Sequence, residues 1–355
     1  MENRQQTLLK IAEDLKLSKT TVSVCLSGNA EKGRVKPETV ERVKKYAEKI
    51  NYIPNRIARS LTKPGKSPVG LIISQDSSSE KSLYAMRKAM QMLDENGRDF
   101  IVQNFLRDHI SDAVYALKGM NVKEIVMFGV FFESANADRQ PKGSMQRFVK
   151  DQARLKSLLQ DIQFYSLDYN FPIPENSQLN IYRLGIKRSD IYTRLFTELS
   201  VAGRIPLACD ENCLSSPETI KNLAASRIEI KPEHIIVMPD SIPENHFDVG
   251  HSLVAKVIAM IKDDRVKTVV LHDDKVAAGL IDGLMENGYS VPGDVSVVGF
   301  NNIDAAPYFK VPLTTISLPV MENTIRVVES ILSGKDIPPV IESEAKIIWR
   351  ESAKI

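Results

Sequence analysis

Residues 7–61 decide how the chain is interpreted. They read TLLKIAEDLKLSKTTVSVCLSG (7–28), then a basic loop, then PETVERVKKYAEKINYIPNRIARSL (37–61). Apolar residues recur in the first part at the spacing of one helix face, which predicts a first helix. These residues are Leu8, Ile11, Ala12 and Leu15.

A second helix is predicted from about Lys19 to Leu26. Ser18 can cap it through its hydroxyl, and Gly28 suits the residue that follows its end. Val22 and Leu26 then face inward, and the outward face carries Lys19, Thr20, Ser23 and Val24. Two short helices joined by a tight turn indicate a helix-turn-helix, whose second helix lies in the DNA major groove. An ordinary three-helix bundle that binds nothing is the alternative.

Charge is distributed unevenly along the chain. Residues 1–66 hold 15 Lys and Arg against 7 Asp and Glu, a balance of +8, whereas the remaining residues carry a balance of −6. Phosphate binding with release of counterions requires such a basic module. This distribution favours DNA binding over the inert bundle.

The segment NYIPNRIARSL (51–61) fits a helix that forms on DNA. Pro54 can begin a helix, but about two turns are too short to be stable alone in water. Arg56 and Arg59 can meet phosphates, while Ile57 and Leu61 are apolar and could wedge into a minor-groove base step.

In these segments the chain closely resembles the lac repressor (LacI/GalR) family of bacterial transcription regulators. The resemblance implies that residues 54–62 are a hinge helix and that Leu61 opens the centre of a palindromic operator. It assigns base reading to Lys19, Thr20 and Val24, and phosphate contact or capping to Ser18, Thr21 and Ser23. Val24 stands where the family often has a guanine-reading Arg, so it can only pack, for example on a thymine methyl. Supporting contacts in the hinge are expected from Asn51, Tyr52, Asn55, Arg56, Ile57 and Arg59.

The rest of the composition is that of a globular protein. The chain has 355 residues, of which 43% are hydrophobic and 26% charged. No apolar run is long enough to span a bilayer, and the N-terminus is polar, so we expect a cytoplasmic protein with no membrane partner. Cys25, Cys209 and Cys213 are expected to be free thiols, because a metal site would need further ligands nearby. No cofactor and no metal are predicted.

After a linker at residues 63–68, strands and helices alternate. This pattern predicts an α/β body of two doubly wound parallel sheets. The resemblance implies a periplasmic-binding-protein-like body at 69–355, following a DNA-binding domain with its hinge at 1–62. It places the first lobe at about 69–167 and 301–317, and the second lobe at about 168–300 and 318–355. The expected crossings between the lobes lie near Asp168, Phe300 and Ser317.

The resemblance is strongest in TVVLHDDKVAAGLIDGLMENGYSVPGDVSVVGFNNID (268–304), in PLTTISLPV (312–320) and in WRES (349–352). In the family the Asp at Asp274 contacts the effector. Asp273 replaces a usual Asn, and Asn301 replaces a usual Asp. The two adjacent carboxylates could accept hydrogen bonds from sugar hydroxyls or pair with a cationic ligand. Alternatively, they only cap a helix and complement its dipole.

The middle of the body departs from the family. QDSSSEKSLY (75–84) replaces an aromatic pocket motif, and LSSPETIK (214–221) lacks an expected Arg. A standard pyranose cannot be assumed as the ligand. Ligands of such folds lie at the carboxyl ends of the strands. The candidate effector-binding residues at these ends are Ser74, Gln75, Asp168, Asp210, Asp273, Asp274 and Asn301.

The predicted function is a transcriptional regulator, a repressor by resemblance, that binds a palindromic operator as a homodimer or within a tetramer. A sugar or related metabolite between the lobes would control it allosterically. The alternative is a solute-binding-type sensor or scaffold whose body has lost or changed its ligand. An enzyme is not expected, because the sequence has no phosphate-binding loop, no GxSxG motif and no catalytic constellation at useful spacing.

Overall fold

The computed structural model describes residues 8–26, 35–50, 52, 67–74, 80–105, 109–129, 144–167, 179–214, 216–238 and 245–355. The chain divides into two compact units, Met1–Gly65 and Lys66–Ile355. The division falls inside the predicted linker.

Helices α1 (Leu8–Asp14), α2 (Lys19–Leu26) and α3 (Pro37–Lys49) form the described part of the first unit. They share a small core, and Ile11, Val22 and Val43 are fully buried in it. The predicted helical period is therefore confirmed, because the residues it placed inward are the ones that pack.

Two six-stranded sheets organise the second unit. The first sheet has the order β11-β5-β4-β3-β1-β2, and its pairings are parallel. Its strands are β1 (Val69–Ser74), β2 (Phe100–Phe105), β3 (Glu124–Phe128), β4 (Gln163–Ser166), β5 (Ile181–Gly185) and β11 (Val340–Glu342).

Apolar clusters cover both faces of the first sheet. The helices beside it are α4 (Glu80–Glu95), α5 (Ile110–Gly119), α6 (Ser144–Leu158) and α12 (Val320–Ser333). Continuous burial of β1, in which Val69, Leu71 and Ile72 are fully buried, is the pattern of a parallel strand covered on both sides.

The second sheet has the order β12-β10-β9-β8-β6-β7. It is parallel except that β12 runs antiparallel to β10. Its strands are β6 (Leu207–Asp210), β7 (Ile235–Ile236), β8 (Thr268–Val270), β9 (Ser296–Phe300), β10 (Thr314–Ser317) and β12 (Lys346–Ile348).

Helices also cover the second sheet on both faces. They are α7 (Arg188–Val201), α8 (Pro217–Ala225), α9 (His246–Ser252), α10 (Val254–Asp264) and α11 (Asp274–Glu286). The predicted fold class, an N-terminal helix-turn-helix domain followed in the chain by a body of two doubly wound sheets, is confirmed.

The predicted division into lobes is corrected for four elements. Residues 181–185, predicted to lie in the second lobe, form β5, which pairs in the first sheet, and residues 314–317, predicted to lie in the first lobe, form β10, which pairs in the second sheet. Helix α12 packs in the core of the first sheet, and β11 also joins that sheet. The chain therefore crosses between the lobes after β5, between β10 and α12, and between β11 and β12, and not near Asp168 or Phe300. A strand's apolar pattern predicts that it is buried but not which sheet it joins.

Among the described residues, no helix combines the length and the apolar character needed to cross a bilayer. The cysteines Cys25, Cys209 and Cys213 are buried free thiols, as predicted.

Candidate DNA-reading helix and effector cleft

Ser18 caps α2, the predicted recognition helix. Its Oγ accepts a hydrogen bond from the Thr21 backbone N–H at 3.0 Å and lies 2.8 Å from the Thr21 Oγ1. This is the geometry of a serine N-cap. The capping interpretation of Ser18 therefore accounts for its position without DNA.

The outward face of α2 is open to solvent. Lys19 and Thr20 are exposed, Thr21, Ser23 and Val24 are half-buried, and Val22 is fully buried. The helix therefore presents the predicted base-reading side chains and buries the opposite side.

Side chains of α3 hold the C-terminal end of α1. The Tyr46 hydroxyl donates to the Asp14 carboxylate at 2.5 Å, and Arg42 Nη2 donates to the Leu15 carbonyl at 3.3 Å. Tyr52 packs half-buried against the same core, and its N–H donates to the Ala47 carbonyl at 2.8 Å. The other predicted hinge residues lie outside the described residues: Asn51, Asn55, Arg56, Ile57, Arg59 and Leu61.

The effector candidates lie where strands of both sheets end. Ser74 ends β1 and Asp210 ends β6, and both are buried. Asp273 and Asp274 follow β8, and Asn301 follows β9. The candidates Gln75 and Asp168 lie outside the described residues.

Asp273 is the N-cap of α11. Its Oδ1 accepts hydrogen bonds from the Lys275 N–H at 2.8 Å and the Val276 N–H at 3.1 Å. Its Oδ2 lies 3.1 Å from His246 Nδ1. Burial alone would raise the pKa of Asp273, but His246 and the helix N–H groups outweigh it and hold the pKa below the ordinary value. Asp273 is therefore an ionised helix cap beside an imidazole. Helix capping, one of the two roles predicted for it, accounts for its hydrogen bonds to the α11 N–H groups.

A close helix crossing brings His246 to this position. A Cβ added at Gly279 of α11 would lie 2.0 Å from the Phe247 carbonyl of α9, and one at Gly250 would lie 2.1 Å from the Val276 carbonyl. Glycine at both positions lets the two backbones touch. The first residue of α9 therefore reaches the cap of α11.

Asp274 lies inside the protein. It is 1% exposed, and its oxygens accept the Thr315 hydroxyl at 2.5 Å and the Ile303 N–H at 2.8 Å. Burial raises its pKa to about 7, against the opposite effect of these hydrogen bonds. Asp274 links α11 to β10 and to the loop after β9, and this geometry favours a structural role over the predicted effector contact.

Asp210 is engaged in a similar way. Its oxygens accept the His272 N–H at 2.5 Å and the Asn212 N–H at 2.9 Å, and the residue is fully buried. The His272 ring meets Phe300 edge-on at 6.1 Å, and Phe300 stacks on Tyr192 at 5.8 Å. The residue that donates its N–H to Asp210 therefore begins a series of three contacting aromatic rings.

Asn301 is held mainly through its backbone. Its φ of 101° lies in the left-handed range, which asparagine tolerates better than most residues. Its N–H donates to the Ile316 carbonyl at 2.9 Å, and the residue is half-buried. The replacement of the family's Asp by Asn is compatible with this turn.

Three polar residues near the candidate effector residues were not predicted from the sequence. His246 and His272 flank Asp273 and Asp210, and the buried Arg188 begins α7 just beyond β5. A signal existed for His272, which is the last residue of the β-rich run KTVVLH (267–272). Arg188 was missed because β5 was not recognised as a strand, and His246 because only the α9–α11 crossing brings it close.

One group of metal-ligand residues occurs among the described residues. Ligand atoms of His251, Asp282 and Glu286 lie within 4.8 Å of one another. The Lys310 Nζ already lies 2.9 Å from the Asp282 Oδ1. The ammonium group satisfies this cluster electrostatically, and its geometry does not require a metal.

Comparison with known proteins finds one family match in each of the two units. The model of bacterial regulatory proteins of the lacI family matches residues 7–55, and that of the periplasmic binding protein-like domain matches residues 223–353. The HTH-type transcriptional regulator AscG of Escherichia coli (strain K12) is 24% identical over 358 residues, covering 98% of each chain.

Two solved structures have the same fold. The lac repressor dimer bound to operator and the anti-inducer ONPF has a TM-score of 0.71 at 17% identity, covering 98% of each chain. The transcriptional regulator CelR in complex with cellobiose has a TM-score of 0.59 at 18% identity, covering 98% of this chain and 100% of that one. With its helix-turn-helix, its two-sheet body and these matches, the chain belongs to the lacI family of bacterial regulatory proteins and is a DNA-binding transcription regulator, not an enzyme.

Proposed function

We propose that the protein represses transcription from a two-fold symmetric operator, as a homodimer in the cytoplasm, under the control of a metabolite that binds between the lobes. The observation that carries the proposal is the solvent-exposed face of α2, where Lys19 and Thr20 are exposed on a helix capped by Ser18. A helix of this kind in a basic unit can enter the major groove.

Each side chain of α2 has a proposed task. Lys19 and Thr20 read base edges, and Val24 packs on a thymine methyl. Ser18, Thr21 and Ser23 approach phosphates, and the hinge residues named above, with Leu61 as the wedge, bend the operator centre. Leu61→Ala is expected to weaken operator binding and to leave ligand binding intact. If the variant and the parent protein bind the operator equally well, Leu61 does not act as a wedge.

Exposed apolar side chains on the body support self-association. Leu83 and Tyr84 are 48% and 42% exposed on α4, and Val102 is 41% exposed on the edge strand β2. Unpaired strand edges and exposed apolar residues favour contact with a second copy. Light scattering on the full chain should give twice the monomer mass, or four times for a tetramer; a monomer at micromolar concentration would contradict the proposal.

A sugar or sugar derivative is the proposed effector class. The carboxylates, amide and imidazoles at the strand ends can exchange hydrogen bonds with hydroxyl groups, and the structural neighbour CelR binds cellobiose. A thermal-shift screen of sugars, sugar acids, sugar phosphates, nucleosides and polyols tests this class. DNA binding repeated with any ligand found then separates an inducer from a corepressor.

Asp273→Asn is the variant matched to this screen. Asparagine caps a helix as well as aspartate does, so the fold should persist while the charge beside His246 is lost. A changed ligand response would support Asp273 as an effector contact. An unchanged response would leave it as a cap only.

One observation favours the alternative function. Asp210 and Asp274 direct their oxygens to groups of the protein itself, and both are buried. A body whose polar cleft groups are satisfied internally could serve as a dimerisation scaffold that has lost its ligand. A flat result across the whole ligand screen, with tight operator binding retained, would support this alternative.

A further inference from the structure

Two ion pairs join the first lobe to the second across the cleft. Lys81 Nζ lies 2.5 Å from Asp304 Oδ1, and Lys275 Nζ lies 2.6 Å from Glu80 Oε1. Glu80 and Lys81 form the first turn of α4, which packs on the first sheet. Lys275 begins α11, and Asp304 follows β9, both on the second sheet. These pairs therefore connect the facing carboxyl-terminal edges of the two sheets.

The second lobe holds its two partners at a fixed spacing. Asp274 immediately precedes Lys275, Ile303 immediately precedes Asp304, and the Asp274 carboxylate accepts the Ile303 N–H at 2.8 Å. One buried hydrogen bond therefore joins the two backbone segments that carry the surface charges. The spacing of the charges is built into the lobe and does not depend on flexible loops.

The order of the charges selects one alignment of the lobes. The adjacent residues Glu80 and Lys81 carry opposite charges, and they face Lys275 and Asp304, which also differ in sign. A relative shift that exchanged partners would place Glu80 against Asp304 and Lys81 against Lys275. Like charges in contact repel, so the pattern favours the observed alignment of the lobes over a shifted one.

Partial exposure makes these contacts reversible. The side chains of Lys81 and Glu80 are 31% and 32% exposed, and those of Lys275 and Asp304 are 43% and 67% exposed. Ion pairs that water and salt can reach are screened and add little to stability. A contact of this kind is suited to a joint that opens and closes.

We propose that Glu80, Lys81, Lys275 and Asp304 form an inter-lobe clasp, an electrostatic contact that holds the lobes closed without a bound ligand and sets how readily the cleft opens. The clasp regulates the cleft of the proposed function. Its measurement requires neither DNA nor effector, so the two proposals can fail separately.

The test is the inter-lobe distance in the full chain, measured by pulsed electron spin resonance. Spin labels are attached at Gln91→Cys on α4 and Lys262→Cys on α10, two exposed positions of opposite lobes. The native cysteines are buried, and a sample without the introduced cysteines checks that they remain unlabelled. Excess unlabelled protein suppresses distances between subunits.

Lys81→Glu is expected to shift the distance distribution to longer and broader values, and Asp304→Lys should do the same. The double variant Lys81→Glu with Asp304→Lys restores an ion pair and should restore the original distribution. Raising salt from about 50 mM to about 500 mM should move the parent protein in the direction of the single variants.

The matched control is Arg194→Glu, which reverses the charge of a pair that lies within α7, where Arg194 Nε is 2.8 Å from Glu198 Oε1. It should leave the inter-lobe distance unchanged. The proposal is overturned if Lys81→Glu leaves the distance unchanged. It is equally overturned if the double variant does not restore the distance, or if Arg194→Glu shifts it as much as Lys81→Glu does.

Discussion

The outward face of α2 and the carboxyl-terminal edge of the second sheet both carry polar residues singled out from the sequence, yet they differ in what those residues contact. On α2, Lys19 and Thr20 are exposed to solvent. On the sheet edge, Asp210 and Asp274 are buried and accept hydrogen bonds from the protein itself. The first surface is available to a partner, whereas much of the second already has one.

The difference shows what each region does with its polar groups. A recognition helix reads DNA with side chains that remain in water until the complex forms. A cleft edge must also hold the loops that shape it, so part of its polar chemistry is used for that purpose. Asp273 lies between these cases, because it caps α11 and is only partly buried.

The largest expected effect is on the helix crossing that builds the cleft edge. Gly279→Ala places a Cβ 2.0 Å from the Phe247 carbonyl, so α9 and α11 must separate, and we expect a loss of about 3 kcal/mol or more in the free energy of unfolding. Denaturant unfolding of the full chain measures it. Gly119→Ala, where a Cβ meets no heavy atom within 4 Å, is the control. Equal midpoints for the two variants would refute the crossing as a tight contact.

The second effect concerns the pH dependence of Asp274. Its pKa rises from 3.8 to about 7 on folding, so the stability contributed by the protonated form is present below the unfolded pKa and is lost as pH rises towards 7. Asp274→Asn lacks this titration. The cost of the substitution should therefore be larger at pH 5 than at pH 8, by about 1–3 kcal/mol. Unfolding at both pH values checks this, and a cost that grows with pH would contradict it.

A third prediction concerns the exposed face of α2. Lys19→Ala removes an exposed cation without changing the core, so we expect operator affinity to fall about tenfold, or about 1.4 kcal/mol, with unfolding unchanged. Electrophoretic mobility shifts measure the affinity. Lys262→Ala, an exposed lysine of the body, should have no effect. If the two variants bind equally, α2 does not contact DNA through Lys19.

The smallest effect separates capping from DNA contact at Ser18. Ser18→Ala removes the hydrogen bond to the Thr21 N–H and should cost about 1 kcal/mol of helix stability. Ser18→Asp keeps a cap but adds a negative charge that phosphates repel. In Ser18→Asp, hydrogen exchange should show that the stability of α2 recovers, whereas a binding assay should show that DNA affinity is lost. Normal DNA binding by Ser18→Asp would limit Ser18 to capping.

The sequence predicted the helix-turn-helix well because its information is local. The helical period of Leu8, Ile11 and Ala12 and the cap at Ser18 each depend on residues within a few positions, and the predicted bounds of α2 agree with the structure. The alternating pattern of the body also predicted its two parallel sheets.

Non-local features were not predicted. Each strand joins the sheet whose strands it pairs with, and this pairing involves residues distant in sequence. The sheets that contain β5, β10 and β11 were therefore not predicted. Whether a carboxylate at a strand end faces a ligand or a group of the protein depends on segments far away in sequence. For Asp274, Ile303 and Thr315 supply the hydrogen-bond donors. His246 reaches Asp273 only because two glycines let their helices touch.

The most direct test of the account is selection of DNA from a random library by the full-length protein, followed by sequencing. We predict enrichment of one two-fold symmetric sequence, with half-sites that Lys19→Ala no longer enriches. Enrichment of no sequence above the starting library, with and without the compounds of the ligand screen, would contradict a sequence-specific regulator.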